Sequence, residues 1–110
     1  MSTDTFIVYF GLRYEIDSED IEGIELRSDE RVIAARKAGL KYYWGNFGGL
    51  EKRHLLFVGS QLAVLGSENA ESVDISAVEF HELQGKTKAK LNEVGLVGIP
   101  SLHLQWQPDV

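Results

Sequence analysis

The segment from Thr5 to Ile16 constrains the fold more than any other part of the chain. Phe6, Val8, Phe10, Leu12, Tyr14 and Ile16 fall on one side of an extended backbone, and Ile7, Tyr9, Gly11, Arg13 and Glu15 on the other. A period of two among aromatic and β-branched residues is the pattern of a half-buried strand, because successive side chains point to opposite faces. Gly11 interrupts the run and marks a bulge position.

Further elements follow from local chemistry. Asp17 to Arg27 is acidic and irregular, and reads as a solvated loop with room for a helical turn or a short strand. Ser28 then suits a helix N-cap, with Asp29 and Glu30 in the first turn, Arg36 and Lys37 in the last, and Gly39 just beyond the end. Leu40 to Phe47 is an aromatic strand closed by Gly48-Gly49. Arg53 to Val58 is a second apolar run, and Gly59-Ser60 has the form of a two-residue hairpin turn leading into Leu62–Leu65. Gly66 to Ser72 is a polar loop.

Ser76-Ala77-Val78-Glu79 is a capping box opening a helix to about Val94, with Phe80, Leu83, Thr87, Leu91 and Val94 along one stripe. After Pro100, Leu102, Leu104 and Trp106 alternate with His103, Gln105 and Gln107, a final strand whose polar set predicts one wet face. The order is β-α-β-β-β-α-β. With the third and fourth strands taken as one hairpin, it is similar to the split βαβ pattern of ferredoxin-like folds or a variant of it. The fold class expected is therefore α+β: a mostly antiparallel sheet of four to five strands with two helices on one face, residues 1–110 forming a single domain.

Composition narrows the function classes. The chain has 110 residues, no cysteine and a net charge of −6. Disulfides, thiolate metal sites and thiol nucleophiles are excluded. The acidic balance opposes non-specific binding to nucleic acid or an anionic membrane surface. The N-terminus Met1-Ser2-Thr3-Asp4 lacks a basic residue, and the apolar run Phe6–Phe10 is too short for a signal peptide core, so a cytoplasmic protein is expected.

The segment most suggestive of binding is Tyr42-Tyr43-Trp44-Gly45-Asn46-Phe47. On a strand, one side of it serves the core and the other can present an aromatic platform for a planar ligand, a sugar or a partner protein. The same residues also read, in the first place, as core packing before a glycine-rich turn, since aromatics are generally core residues. Arg53 lies close enough in sequence to supply a polar partner, and His54, at the start of an apolar strand, is the best general-base candidate.

Other motifs fail on spacing. His54, His81 and His103 sit on separate elements without metal-ligand spacing. The acidic run places Ile21 or Ile24 where a calcium loop needs an oxygen ligand. Lys86, Lys88 and Lys90 alternate around a helix and make no phosphate row. The glycines match neither a P-loop nor a dinucleotide fingerprint. Sheet aromatics resemble those of RNA-recognition modules, but the basic residues such modules use are lacking. No cofactor and no metal is expected. The reading is a non-catalytic binding or regulatory module that uses an aromatic patch, with a homo-oligomer, a protein partner or a small molecule as the bound species. The alternatives are a small enzyme with a pocket near His54 and a nucleic-acid-binding module.

Overall fold

The computed structural model describes residues 4–66 and 69–108. In chain order they form β1 (Thr5–Ile16), α1 (Ser18–Glu25), α2 (Glu30–Ala38), β2 (Lys41–Asn46), a 3-10 turn (Gly49–Glu51), β3 (His54–Gly66), α3 (Ala77–Glu93) and β4 (Ser101–Gln107). The strands make one sheet in the order β2-β3-β1-β4, each neighbouring pair antiparallel. Crossing from β1 to β2 leaves a slot that β3 fills, and crossing from β3 to β4 leaves one that β1 fills. This is the α+β class the pattern predicts, and its strand order is compatible with the ferredoxin-like arrangement. No helix among the described residues is long and apolar enough to cross a membrane. Met1–Thr3 of the N-terminal stretch and Ser67–Glu68 of the expected polar loop lie outside the described residues.

Several local expectations are overturned. The acidic stretch after β1 is a helix, not a loop. Asp17 caps α1 by accepting from the Glu19 and Asp20 amides, while the Asp20 carboxylate accepts from the Asp17 amide. Ile24, fully buried, then anchors the helix to the core. The N-cap of α2 is accordingly Asp29 rather than Ser28, whose hydroxyl bonds the Gly23 carbonyl instead. Asp29 also takes the Arg31 guanidinium at 2.9 and 3.1 Å, and that group stacks 5.1 Å from the Tyr14 ring centre and lies 3.4 Å from Asp20. One cation thus ties α1, α2 and β1 together, and its hydrogen bonds hold the Asp29 carboxyl below its ordinary pKa.

The second correction concerns Gly59-Ser60. It is no hairpin turn: β3 runs unbroken from His54 to Gly66, so the expected third and fourth strands are one. Gly59 pairs with Gly11 in mid-ladder. A Cβ on Gly11 would lie 2.2 Å from the Val58 carbonyl oxygen, and one on Gly59 2.2 Å from that of Phe10. Only glycine permits the backbones to meet this closely on that face. Just beyond, the ladder passes from Val8–Ala63 to Tyr9–Gln61, skipping Leu62 as a bulge that adds twist.

Here the sheet doubles back. His103 pairs with Tyr9, and Phe57 with Arg13. In a flat sheet they would stand two strands and four residues apart, roughly 16 Å from strand spacing and rise. Their ring centres are 5.8 Å apart. Tyr43 and Gln107 occupy diagonally opposite corners, yet the tyrosine hydroxyl donates to the Gln107 Oε1 at 2.7 Å. A Cβ on Gly45 would meet the Gln107 Nε2 at 2.7 Å.

The bend produces two cores. On the convex side, α1, α2 and α3 cover Leu12, Ile16, Leu56 and Val58 with Ile24, Val32, Ala35 and Leu91. Inside the bend, Ile7, Tyr9, Phe47, Leu55 and Phe57 are buried with none of these helices above them. Fully burying a large apolar side chain is worth about 1.5–3 kcal/mol, against about 1 kcal/mol for the Tyr43–Gln107 hydrogen bond. Apolar closure therefore holds the bend, and the hydrogen bond fixes its register.

Two glycine substitutions separate the close-approach argument from propensity. Gly85 is exposed in α3, and a Cβ added there would have no neighbour within 4 Å. Gly85→Ala should raise stability by about 0.5–1 kcal/mol. Gly59→Ala should lower it by several times that amount, both read as shifts of the urea midpoint.

Candidate functional site

The aromatic segment is divided between the two cores. Tyr42 and Trp44 point to the helices and pack, half-buried, against the convex core. Tyr43 points the other way, against Phe47 and the inner core. Neither side is an open aromatic platform, so truncating Trp44 removes packing from the convex core. Asn46 serves the turn that follows. Its Nδ2 donates to the Gly49 carbonyl, and its Oδ1 accepts from the Gly48 and Arg53 amides. The Arg53 side chain leaves that cluster for an exposed ion pair with Glu15 at 2.9 Å. His54 begins β3, half-buried, opposite Ile16 and Asn46. The structure thus brings Asn46 to the Arg53 backbone, but it does not gather the six residues of the segment and its flank around one cavity.

The final strand is inverted relative to expectation. His103, Gln105 and Gln107, the predicted wet face, turn inward and are half-buried. Gln105 accepts from Arg13 at 3.0 Å, Gln107 from Tyr43, and His103 Nε2 lies 3.2 Å from the Gly11 carbonyl. The physical reason is the bend: the inner side of β4 closes over Phe57 and Tyr9, and uncharged amides and an imidazole can cap that core while keeping hydrogen bonds. The apolar set points outward. Leu102, Leu104 and Trp106 are 44, 64 and 43 % exposed, and Phe6, on the neighbouring strand, 41 %. Phe6 and Trp106 meet edge to face at 4.9 Å. Single exposed hydrophobics are ordinary, whereas these stand contiguous, at i, i+2 and i+4 on one sheet face. A signal for this was present in the residues themselves: β4 holds no charged residue on either side.

Open grooves lie beside the helices. An open groove of about 350 Å³ runs beside α3, with Ser60 and Thr87 at its base and Lys86, Lys90, Glu79 and Glu82 on its rim. Its hydroxyls are already satisfied by each other at 2.7 Å and by the Leu83 carbonyl. Among the described residues, no group of three or more histidine, aspartate or glutamate side chains is placed to hold a metal ion.

Burial lowers the His103 pKa from its ordinary 6.5, the Arg13 cation lowers it further, and the bond to Gly11 partly opposes both. The unfolded chain therefore binds more protons at this site than the native one, and stability falls as pH drops through and below 6.5. His103→Gln should flatten that acid-side slope between about pH 7 and pH 5, measured as urea midpoint against pH. No protein-family model, no curated protein and no solved structure matches the chain.

Proposed function

We propose that this chain is a non-catalytic binding module whose working surface is the exposed apolar stripe of β4 together with Phe6 of β1, and whose partner there is a second copy of the same chain. The observation that carries the reading is the outward set Phe6, Leu102, Leu104 and Trp106, each more than 40 % exposed. The aromatic patch is thus assigned to Phe6 and Trp106, and the Tyr42–Phe47 segment to the packing of the two cores.

Charge favours a second copy over a basic partner at this surface. A two-fold contact places the same patch on both sides and must be self-complementary. The chain carries −6 overall, yet β4 itself carries no charge, so two copies can meet along it without opposing like charges. The repulsion between the remaining acidic surfaces is long-range and falls as salt screens it. A cytoplasmic setting, where the lack of cysteine is unremarkable, belongs to the same proposal.

Sedimentation velocity over a range of concentrations tests the reading. The unsubstituted chain should approach the mass of two chains, more readily as salt rises. Leu104→Arg should sediment as one chain with a nearly unchanged urea midpoint, since Leu104 is 64 % exposed. A single-chain mass for the unsubstituted protein at every concentration and salt would overturn it.

A further inference from the structure

Resting on that reading, we infer that the two copies join edge to edge: β4 pairs antiparallel with β4 of the second copy, Leu104 lies on the two-fold axis, and the two sheets become one of eight strands.

β4 is one of the two edges of the sheet, so among the described residues one row of its backbone N–H and C=O groups has no strand partner. Edge strands of monomeric proteins are usually blunted by lysine, proline, an inward charge or a bulge. β4 has none of these. Ser101-Leu102-His103-Leu104-Gln105-Trp106-Gln107 contains no charge and no proline, and it pairs with β1 in unbroken register from Ser101 to Gln107. The opposite edge, β2, differs. It opens on exposed Lys41, and its helix-side residues Tyr42 and Trp44 are already packed against the convex core. The exposed apolar face therefore adjoins the β4 edge and not the β2 edge.

Geometry then selects the register. Residues directly opposite each other in an antiparallel pair point to the same face. A two-fold axis perpendicular to the sheet keeps both apolar faces on one side only if even-numbered residues oppose even-numbered ones. Of those registers, the one centred on Leu104 pairs the whole strand. It sets Leu104 against Leu104, Leu102 against Trp106, His103 against Gln105 and Ser101 against Gln107. The apolar stripe becomes continuous across the axis, extended on each side by the Phe6 ring that packs on Trp106. The polar set becomes a matching ladder of amide and imidazole groups on the inner side.

The chain's lack of cysteine makes single-cysteine variants clean probes. Leu104→Cys and Ser101→Cys, each confirmed dimeric by native mass, are treated with a short thiol-to-thiol bifunctional reagent. In the proposed register, the two 104 positions face each other, whereas the two 101 positions lie six residues apart along the strands, about 20 Å. Leu104→Cys should give covalent dimer and Ser101→Cys should not. Dimers that link equally at both positions, or at 101 only, overturn the register while leaving self-association standing. Amide exchange on the unsubstituted chain covers the case in which the leucine substitution weakens the dimer. Exchange in β4 should slow as concentration rises, and a dimer whose β4 amides exchange as fast as the monomer's overturns strand pairing. A chain that is monomeric throughout removes the underlying reading as well.

Discussion

The structure depends on a single close approach between β1 and β3. At Gly11 and Gly59, the two longest strands meet with no room for a side chain on the inner face, and the sheet turns back on itself there. Without that bend, Ile7, Tyr9, Leu55 and Phe57 would lie on an open sheet face with nothing above them. With it, the two halves of the same sheet bury each other, and the chain gains a second core without a second layer of helices. Burial also pushes the Tyr9 pKa well up, with the neighbouring Tyr43 adding to it, so its hydroxyl remains a donor to Gln61 at 3.0 Å.

The same bend decides what is available for function. Closing the inner face commits the polar side of β4 to hydrogen bonds with Arg13, Tyr43 and Gly11, and it leaves the apolar side facing out. The helices cover the other half of the sheet, over Leu12, Leu56 and Val58, where α1 and α2 are locked by the Arg31 cluster. Phe80, near the start of α3, reaches towards the β4 half and packs on Phe10 at 5.7 Å. The outward stripe of Leu102, Leu104 and Trp106 thus follows from how the sheet is closed.

Much of the fold was legible in residue patterns, because those patterns report local physics. Alternation gave β1 and β4, the Ser76 cap and its stripe gave α3, and Gly39 closed α2. What misled was information that is not local. Gly59-Ser60 has turn chemistry, but its role is set by Gly11, far away in sequence, and only the pairing of the two glycines reveals a bend. Asp17 and Asp20 form a capping box that the density of acidic residues concealed, and the spacing of Ile21 and Ile24 was the clue to α1. Tyr42–Phe47 drew attention by composition, yet such a segment is divided by strand alternation between two cores. For β4, the rule that polar residues face water failed, because glutamine and histidine can be buried with partners where lysine and glutamate rarely are.

The bend is tested most simply by a proton–proton Overhauser measurement between the aromatic rings of His103 and Phe57. A folded-back sheet predicts cross-peaks between them, since their centres are 5.8 Å apart. Absence of those cross-peaks in a spectrum that shows the Phe57–Phe47 contact, at 5.5 Å, would mean that the sheet is open. The outward face of β4 would then lose its explanation.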